Sequence, residues 1–305
     1  MKYFCLACLS LCVIFLLLFG IYLLLGYLGW HFAMSRKSGL KKGIEFNSKR
    51  KRTQEDIDYF KDYKVLDLIT FDNLRLKGFY KDNNFSKLAI VVHGYGGCHY
   101  DVVKQCQIFE KAGYDIFTLD LRAHGESEGD ALTMGLYESQ DLLSWIEQLS
   151  SFKDYRIALY GISMGASTIL LTASDKKAKN IELAIEDCGY DNANREFSYI
   201  FAKSKIKRKW LYRIFYKYTK QVKKIDLRQI DIAKSIKNLK IPVLFIHGDK
   251  DEFVPTEMVY TLYDSVGTDR KLLYIAKDAT HGNAYEVNPK LYEQKIYTFL
   301  NKYGM

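Results

Sequence analysis

Short apolar runs that end in or run into Gly, His or Asp recur along this chain, with helical segments between them. LAIVVH (88–93), IFTLD (116–120), RIALY (156–160) and IPVLFIH (241–247) are too short for buried helices and are bounded by turn residues, so they read as buried strands. Val65–Thr70 and Leu74–Tyr80 flank Asp72-Asn73, a hairpin signal, and Ile181–Glu186 and Lys271–Ile275 complete the set. Between them, Val102–Ala112, Leu136–Leu149, Ala166–Ala173 and Leu291–Leu300 carry helical apolar spacing. This alternation predicts βαβ units: an α/β fold with a mostly parallel sheet of about eight strands and helices on both faces. In such sheets functional groups collect just past the carboxyl ends of the strands.

A second feature stands before this body. Tyr3 to Trp30 contains no charged side chain, and about 20 apolar residues suffice to span a bilayer. Residues 1–31 are therefore expected to form one transmembrane helix anchoring the chain in the cell membrane, with Tyr22, Tyr27 and Trp30 suited to the interface. A cleaved signal sequence is the alternative, although its apolar region is shorter and ends at a small-residue site. Residues 32–58 read as a basic linker and 59–305 as the folded domain. Arg36, Lys37, Lys41, Lys42, Lys49, Arg50, Lys51 and Arg52 face Glu45 alone, which by the positive-inside rule puts the body in the cytoplasm. A secretory reading puts it outside, so the side stays open. Removal of residues 1–30 is expected to free the body from membranes with activity retained.

The net charge of +9 invites a nucleic-acid reading, but no zinc-finger spacing, RNA-binding signature or helix-turn-helix pattern accompanies it. Of six cysteines, Cys5, Cys8 and Cys12 lie in the apolar run, and Cys98, Cys106 and Cys188 lie in the body, where none are in C-x-x-C spacing. No metal and no cofactor are expected.

The strand RIALY runs into Gly161-Ile162-Ser163-Met164-Gly165 and then a helix. G-x-S-x-G at a strand–helix junction holds a serine on a sharp turn, and the glycines let strand and helix pass closely. Ser163 is the candidate nucleophile. LAIVVH runs into His93-Gly94-Tyr95-Gly96-Gly97; a developing oxyanion needs two N–H donors, and the backbones of Tyr95 and Met164 are the candidates. His93 reads as a brace for this loop. Past IPVLFIH come Asp249 and Asp251, and past the last strand comes His281. His281 would take the Ser163 proton, and an acid would fix its tautomer. Asp251 is preferred; Asp249, and Asp187 after the strand LAIEDC, are its rivals.

With HGYGG (93–97), DLRAHGES (120–127), GISMGAS (161–167), EDCGY (186–190), HGDKDEFVP (247–255) and THGNAY (280–285) assembled, the chain resembles the α/β-hydrolase superfamily and looks most similar to its bacterial serine aminopeptidase-like or general α/β-hydrolase branch. The resemblance covers residues 60–300 and implies the α/β-hydrolase fold. It matches Ser163, Asp251 and His281 to catalytic positions and Tyr95 and Met164 to oxyanion donors. Asp120, Arg122, His124 and Gly125 match a loop-shaping stretch. It also implies that the insertion at about 190–240 forms a helical cap, which governs access. Residues 203–224 hold ten Lys or Arg and no acid, with Trp210, Tyr212, Phe215 and Tyr218 interleaved, as in a helix lying on an anionic membrane surface or one packing its aromatics inward.

The expected activity is hydrolysis of an ester, thioester or amide through an acyl-enzyme on Ser163, acting on a small-molecule, acyl or peptide substrate and not on nucleic acid. A catalytically silent membrane-tethered binding protein on the same scaffold and an acyltransferase using the same residues are the alternatives.

Overall fold

The computed structural model describes residues 1–36, 53–203 and 209–304. Eight strands form one sheet: β1 (Lys64–Ile69), β2 (Arg75–Lys81), β3 (Lys87–Val92), β4 (Asp115–Leu119), β5 (Arg156–Ile162), β6 (Ile181–Asp187), β7 (Val243–Gly248) and β8 (Lys271–Ala276). Their order is β1-β2-β4-β3-β5-β6-β7-β8. β2 is antiparallel to both β1 and β4, and every later pairing is parallel. The runs read as buried strands are those covered on both faces, whereas edge strand β1 keeps most of its side chains partly or fully in solvent. This is the α/β-hydrolase fold.

One face is covered by helices Leu136–Ser150 and Met164–Ala173, whose Trp145, Ile146 and Ile169 enter one core. The other is covered by Val103–Lys111 and Pro289–Tyr303 through Phe109, Tyr292 and Phe299. Chain progression reverses between β3 and β5, so the loops after these two strands diverge and leave a crevice at their carboxyl ends. Both loops singled out from sequence, 93–97 and 161–165, lie there.

The first helix runs from Lys2 to Met34, and it is long and apolar enough to cross a membrane. It extends beyond residue 31, the boundary expected from sequence. Its outer part is exposed, but Trp30, Ala33 and Met34 belong to the main core. Ser35 and Arg36 are docked rather than linker-like: Ser35 bridges Ala131, and Arg36 donates its backbone N–H to the Asp130 carbonyl at 2.8 Å and its guanidinium to the Gly125 carbonyl at 2.9 Å. The physical reason is length. At 1.5 Å per residue the helix reaches about 50 Å, against about 30 Å of bilayer hydrocarbon. Its last apolar turns are buried on the body. The expectation that residues 1–30 are a detachable tether therefore needs correction, because removal would uncover Phe215 and Tyr218. Residues 37–52 of the basic linker lie outside the described residues.

The insertion contributes two helices, Ala193–Lys203 and Lys209–Gln221. They pack on each other through Phe197, Phe201 and Phe215, with ring centroids 5.1–5.2 Å apart. The second lies along the N-terminal helix. A Cβ on Gly26 would stand 2.5 Å from the Tyr218 side chain, so only glycine permits this approach. Tyr22 donates its hydroxyl to Gln221 Oε1 at 3.1 Å, and Lys223 Nζ sits 3.7 Å from the Trp30 ring centroid. Of the two expectations for this basic segment, inward packing describes Phe215 and Tyr218, while Trp210 stays exposed.

Candidate active site

The strand β5 delivers Ser163 at φ 55°, ψ −120°, a strained backbone for a residue with a Cβ. The turn closes because its neighbours are glycines: a Cβ on Gly165 would lie 2.5 Å from the His93 carbonyl oxygen, and one on Gly161 would lie 2.4 Å from the Gly165 backbone. The Ser163 N–H donates to the Asp187 carbonyl at 2.7 Å, tying the turn to β6. Met164 is the first residue of the following helix, where backbone N–H groups have no partner within the helix.

The loop after β3 reaches the same point. A Cβ on Gly94 would come within 3.2 Å of the Ser163 Cβ. His93 braces this loop, as expected: Leu121 N–H donates to its Nε2 at 3.0 Å, leaving Nδ1 to donate to the Gly94 carbonyl at 2.7 Å. Burial, with the neighbouring His124, pushes His93 down to about 4, so it is neutral at physiological pH. His124 provides a second brace, accepting the Gly96 N–H at Nε2 (3.0 Å) and donating from Nδ1 to the Arg122 carbonyl at 2.8 Å. Asp120 and Arg122 shape the supporting loop, Asp120 by accepting N–H bonds from His99 and Glu126, and Arg122 through a bidentate pair with Asp141 at 2.7 Å.

His281 lies past β8 with its Nε2 2.8 Å from Ser163 Oγ and its Nδ1 2.7 Å from Asp251 Oδ2. Asp251 Oδ1 accepts the N–H groups of Phe253 and Val254, each at 2.9 Å. Burial opposes ionisation of Asp251, but hydrogen bonds from His247 and His281 outweigh it and hold the carboxyl well below its ordinary range. The rivals stand elsewhere. Asp249 is exposed. Asp187 accepts from Tyr160 at 3.0 Å and Tyr292 at 2.6 Å, and burial lifts it to about 6. The geometry thus unites Ser163, His281 and Asp251, with Gly94-Tyr95 and Met164 beside them.

Three features escaped sequence reasoning. His247, buried at the end of β7, donates from Nε2 to the Val254 carbonyl at 3.0 Å, and that nitrogen lies 3.2 Å from Asp251 Oδ2. It steadies the turn that carries Asp251, and its place four residues before that acid was a legible signal. Glu196 is 1% exposed, and neither carboxyl oxygen has a hydrogen-bond partner among the described residues. Burial, aided by the charges of Asp251 and Asp191, pushes it up to about 8. A lone acid on the face that also carries Ala193, Phe197 and Ile200 was its signal. Finally, a cavity of about 360 Å³ opens at Ser163, walled by the cap and, unexpectedly, by the N-terminal helix.

Such a constellation can transfer a proton from a hydroxyl to an imidazole beside main-chain N–H donors, which is what acyl transfer requires. The fold is that of the α/β hydrolases. A family profile for the alpha/beta hydrolase fold matches residues 89–203. The uncharacterized protein YqkD of Bacillus subtilis is 26% identical over 270 residues, 83% of this chain and 88% of its own. An uncharacterized membrane protein of Saccharomyces cerevisiae, YNL320W, is 24% identical over 220 residues, 70% of this chain and 71% of its own. Among solved structures, an esterase of Pyrococcus furiosus is 26% identical and superposes with a TM-score of 0.65, covering 81% of this chain and 93% of that one. Fold and neighbours together support hydrolase activity.

Proposed function

We propose that this protein is a membrane-tethered serine hydrolase that cleaves an ester, thioester or amide through an acyl-enzyme on Ser163. The observation that carries the reading is the unbroken relay from Asp251 through His281 to Ser163 Oγ, with links of 2.7 and 2.8 Å. His281 accepts the hydroxyl proton as Ser163 attacks the carbonyl carbon. The Tyr95 and Met164 N–H groups stabilise the resulting oxyanion, and the leaving group departs with the proton held on His281. Water, activated by the same imidazole, then releases the acid and restores Ser163. Asp251, kept ionised by its four donors, balances the imidazolium charge. The esterase likeness favours an ester among the three bonds.

The uncharged run of the N-terminal helix, and a yeast relative named as a membrane protein, support single-pass tethering. The test of the chemistry is turnover of p-nitrophenyl butanoate by the full chain in detergent. Ser163→Ala is expected to abolish it with the unfolding temperature within a few degrees of wild type. Unchanged turnover would remove Ser163 from the mechanism. Tethering is checked by alkaline carbonate extraction, in which the protein is expected to stay with the membrane pellet; release to the supernatant would contradict it.

A further inference from the structure

The cavity at Ser163 has a wall that the folded domain does not supply. Leu25, Leu28, Gly29, Phe32 and Ala33 of the N-terminal helix line it. Their spacing of i, i+3, i+4, i+7 and i+8 puts them on one helical face. That stripe covers about 12 Å along the axis, comparable to a medium-length acyl chain. Opposite it stand Ile200, Phe201 and Leu211 of the cap. Glu196 and Tyr190 are the polar interruptions near the Ser163 end, and burial raises the pKa of Glu196, so it does not break the apolar character with a charge at neutral pH.

The stripe does not end at the cavity. Towards the N-terminus the same helix continues as exposed apolar side chains, among them Leu24, Ile21 and Leu17, over a length that can cross a bilayer. Beside it, the neighbouring cap helix carries Lys209, Arg213, Lys217 and Lys220, where cations would meet anionic headgroups. The inner end of the helix is also tied to the chemistry. Tyr95, whose backbone flanks the nucleophile, donates its hydroxyl to the Ala33 carbonyl at 3.1 Å.

We infer that the N-terminal helix is a structural wall of the acyl-binding pocket, and that the substrate is a long-chain acyl ester of a membrane lipid whose chain passes from the bilayer along the Leu25–Leu28–Phe32 face to Ser163. This rests on the serine-hydrolase reading and gives it a substrate class. A tail sliding along this face exchanges lipid contact for protein contact without crossing water, so the cost of extracting an acyl chain into solvent is avoided. The carbonyl arrives at the Ser163 end, and the headgroup remains towards the basic rim.

The test uses the full chain. In detergent, Leu28→Trp fills the pocket from a half-exposed position. It is expected to lower kcat/KM on p-nitrophenyl dodecanoate at least tenfold more than on the butanoate. Leu16→Trp, on the opposite and exposed side of the helix's outer part, should leave both rates as in wild type. In vesicles, monooleoylglycerol placed in the same bilayer as the protein is expected to be hydrolysed at least tenfold faster than the same lipid supplied in separate vesicles. Equal losses on the two esters in Leu28→Trp, or none, would overturn the wall. Equal rates for the two vesicle arrangements, or faster turnover of a soluble dodecanoyl thioester than of the bilayer lipid, would overturn the bilayer route. Wild-type turnover that does not depend on Ser163 would instead remove the hydrolase reading, and the inference with it.

Discussion

The strand-end constellation and the pocket wall lie side by side, yet they are built in opposite ways. Ser163, Asp251 and His281 each follow a strand of the sheet, and the first two are fixed by local features: a glycine-flanked turn at Ser163, and two backbone N–H donors with the neighbouring His247 at Asp251. The wall at Leu25, Leu28 and Phe32 is fixed by nothing local. It exists because a helix near the start of the chain meets a cap inserted about 180 residues later, through Gly26 against Tyr218 and Trp30 beneath Lys223. The strand-end residues are placed by short-range motifs on the sheet, whereas the pocket wall is placed by long-range packing of an apolar helix on a basic, aromatic-bearing one.

Substitutions at the strand ends are expected to have the largest effects. His281→Ala should lower kcat on a short ester by about 10³–10⁴, and Asp251→Asn by a similar factor, since an amide cannot hold the imidazole in the required tautomer. Asp249→Asn, at an exposed position, should leave the rate as in wild type. A large loss at Asp249 with little at Asp251 would reverse the assignment of the acid.

Next comes Glu196, where wall and site meet. Its unfolded pKa is near 4.5 and its folded value about 8. Between these values the unfolded chain has lost a proton that the folded chain keeps, so stability falls as pH rises through this window. Glu196→Gln removes that dependence. Its melting temperature should exceed that of wild type by a margin that grows from pH 5 to pH 8, reaching several degrees. A constant difference across that range would mean that Glu196 is ionised throughout. The smallest effect is expected of Tyr95→Phe, which keeps the backbone donor and removes one hydrogen bond to Ala33, worth about 1 kcal/mol. Its short-ester rate should fall no more than about fivefold. A loss near that of His281→Ala would mean that the hydroxyl itself touches the reacting atoms.

The same contrast explains what could be read from sequence. The strands, the hairpin at Asp72-Asn73 and the flanking helices were legible because period and turn residues are local signals. Ser163, Asp251 and His281 were legible because each follows such a strand. Gly94 and His93 were legible as a loop and its brace. The pocket wall was not, because an uncharged run of this length satisfies the bilayer requirement by itself. Nothing in residues 24–34 distinguishes turns that stay exposed from turns that face Phe215 and Tyr218. Gly26 and Gly29, three residues apart on the helix, were the available hint of close packing, and they carry meaning only once the partner helix is known. His124 was assigned to loop shaping without its hydrogen bond to Gly96, because the loops after β3 and β4 are adjacent only through the strand order.

The most direct test of the central claim is to treat the folded full-length chain with a fluorophosphonate and map the adduct by tandem mass spectrometry. One adduct per chain is expected, on Ser163, formed far more slowly in His281→Ala and absent from Ser163→Ala. An adduct on another residue, or none on folded wild-type protein, would contradict it.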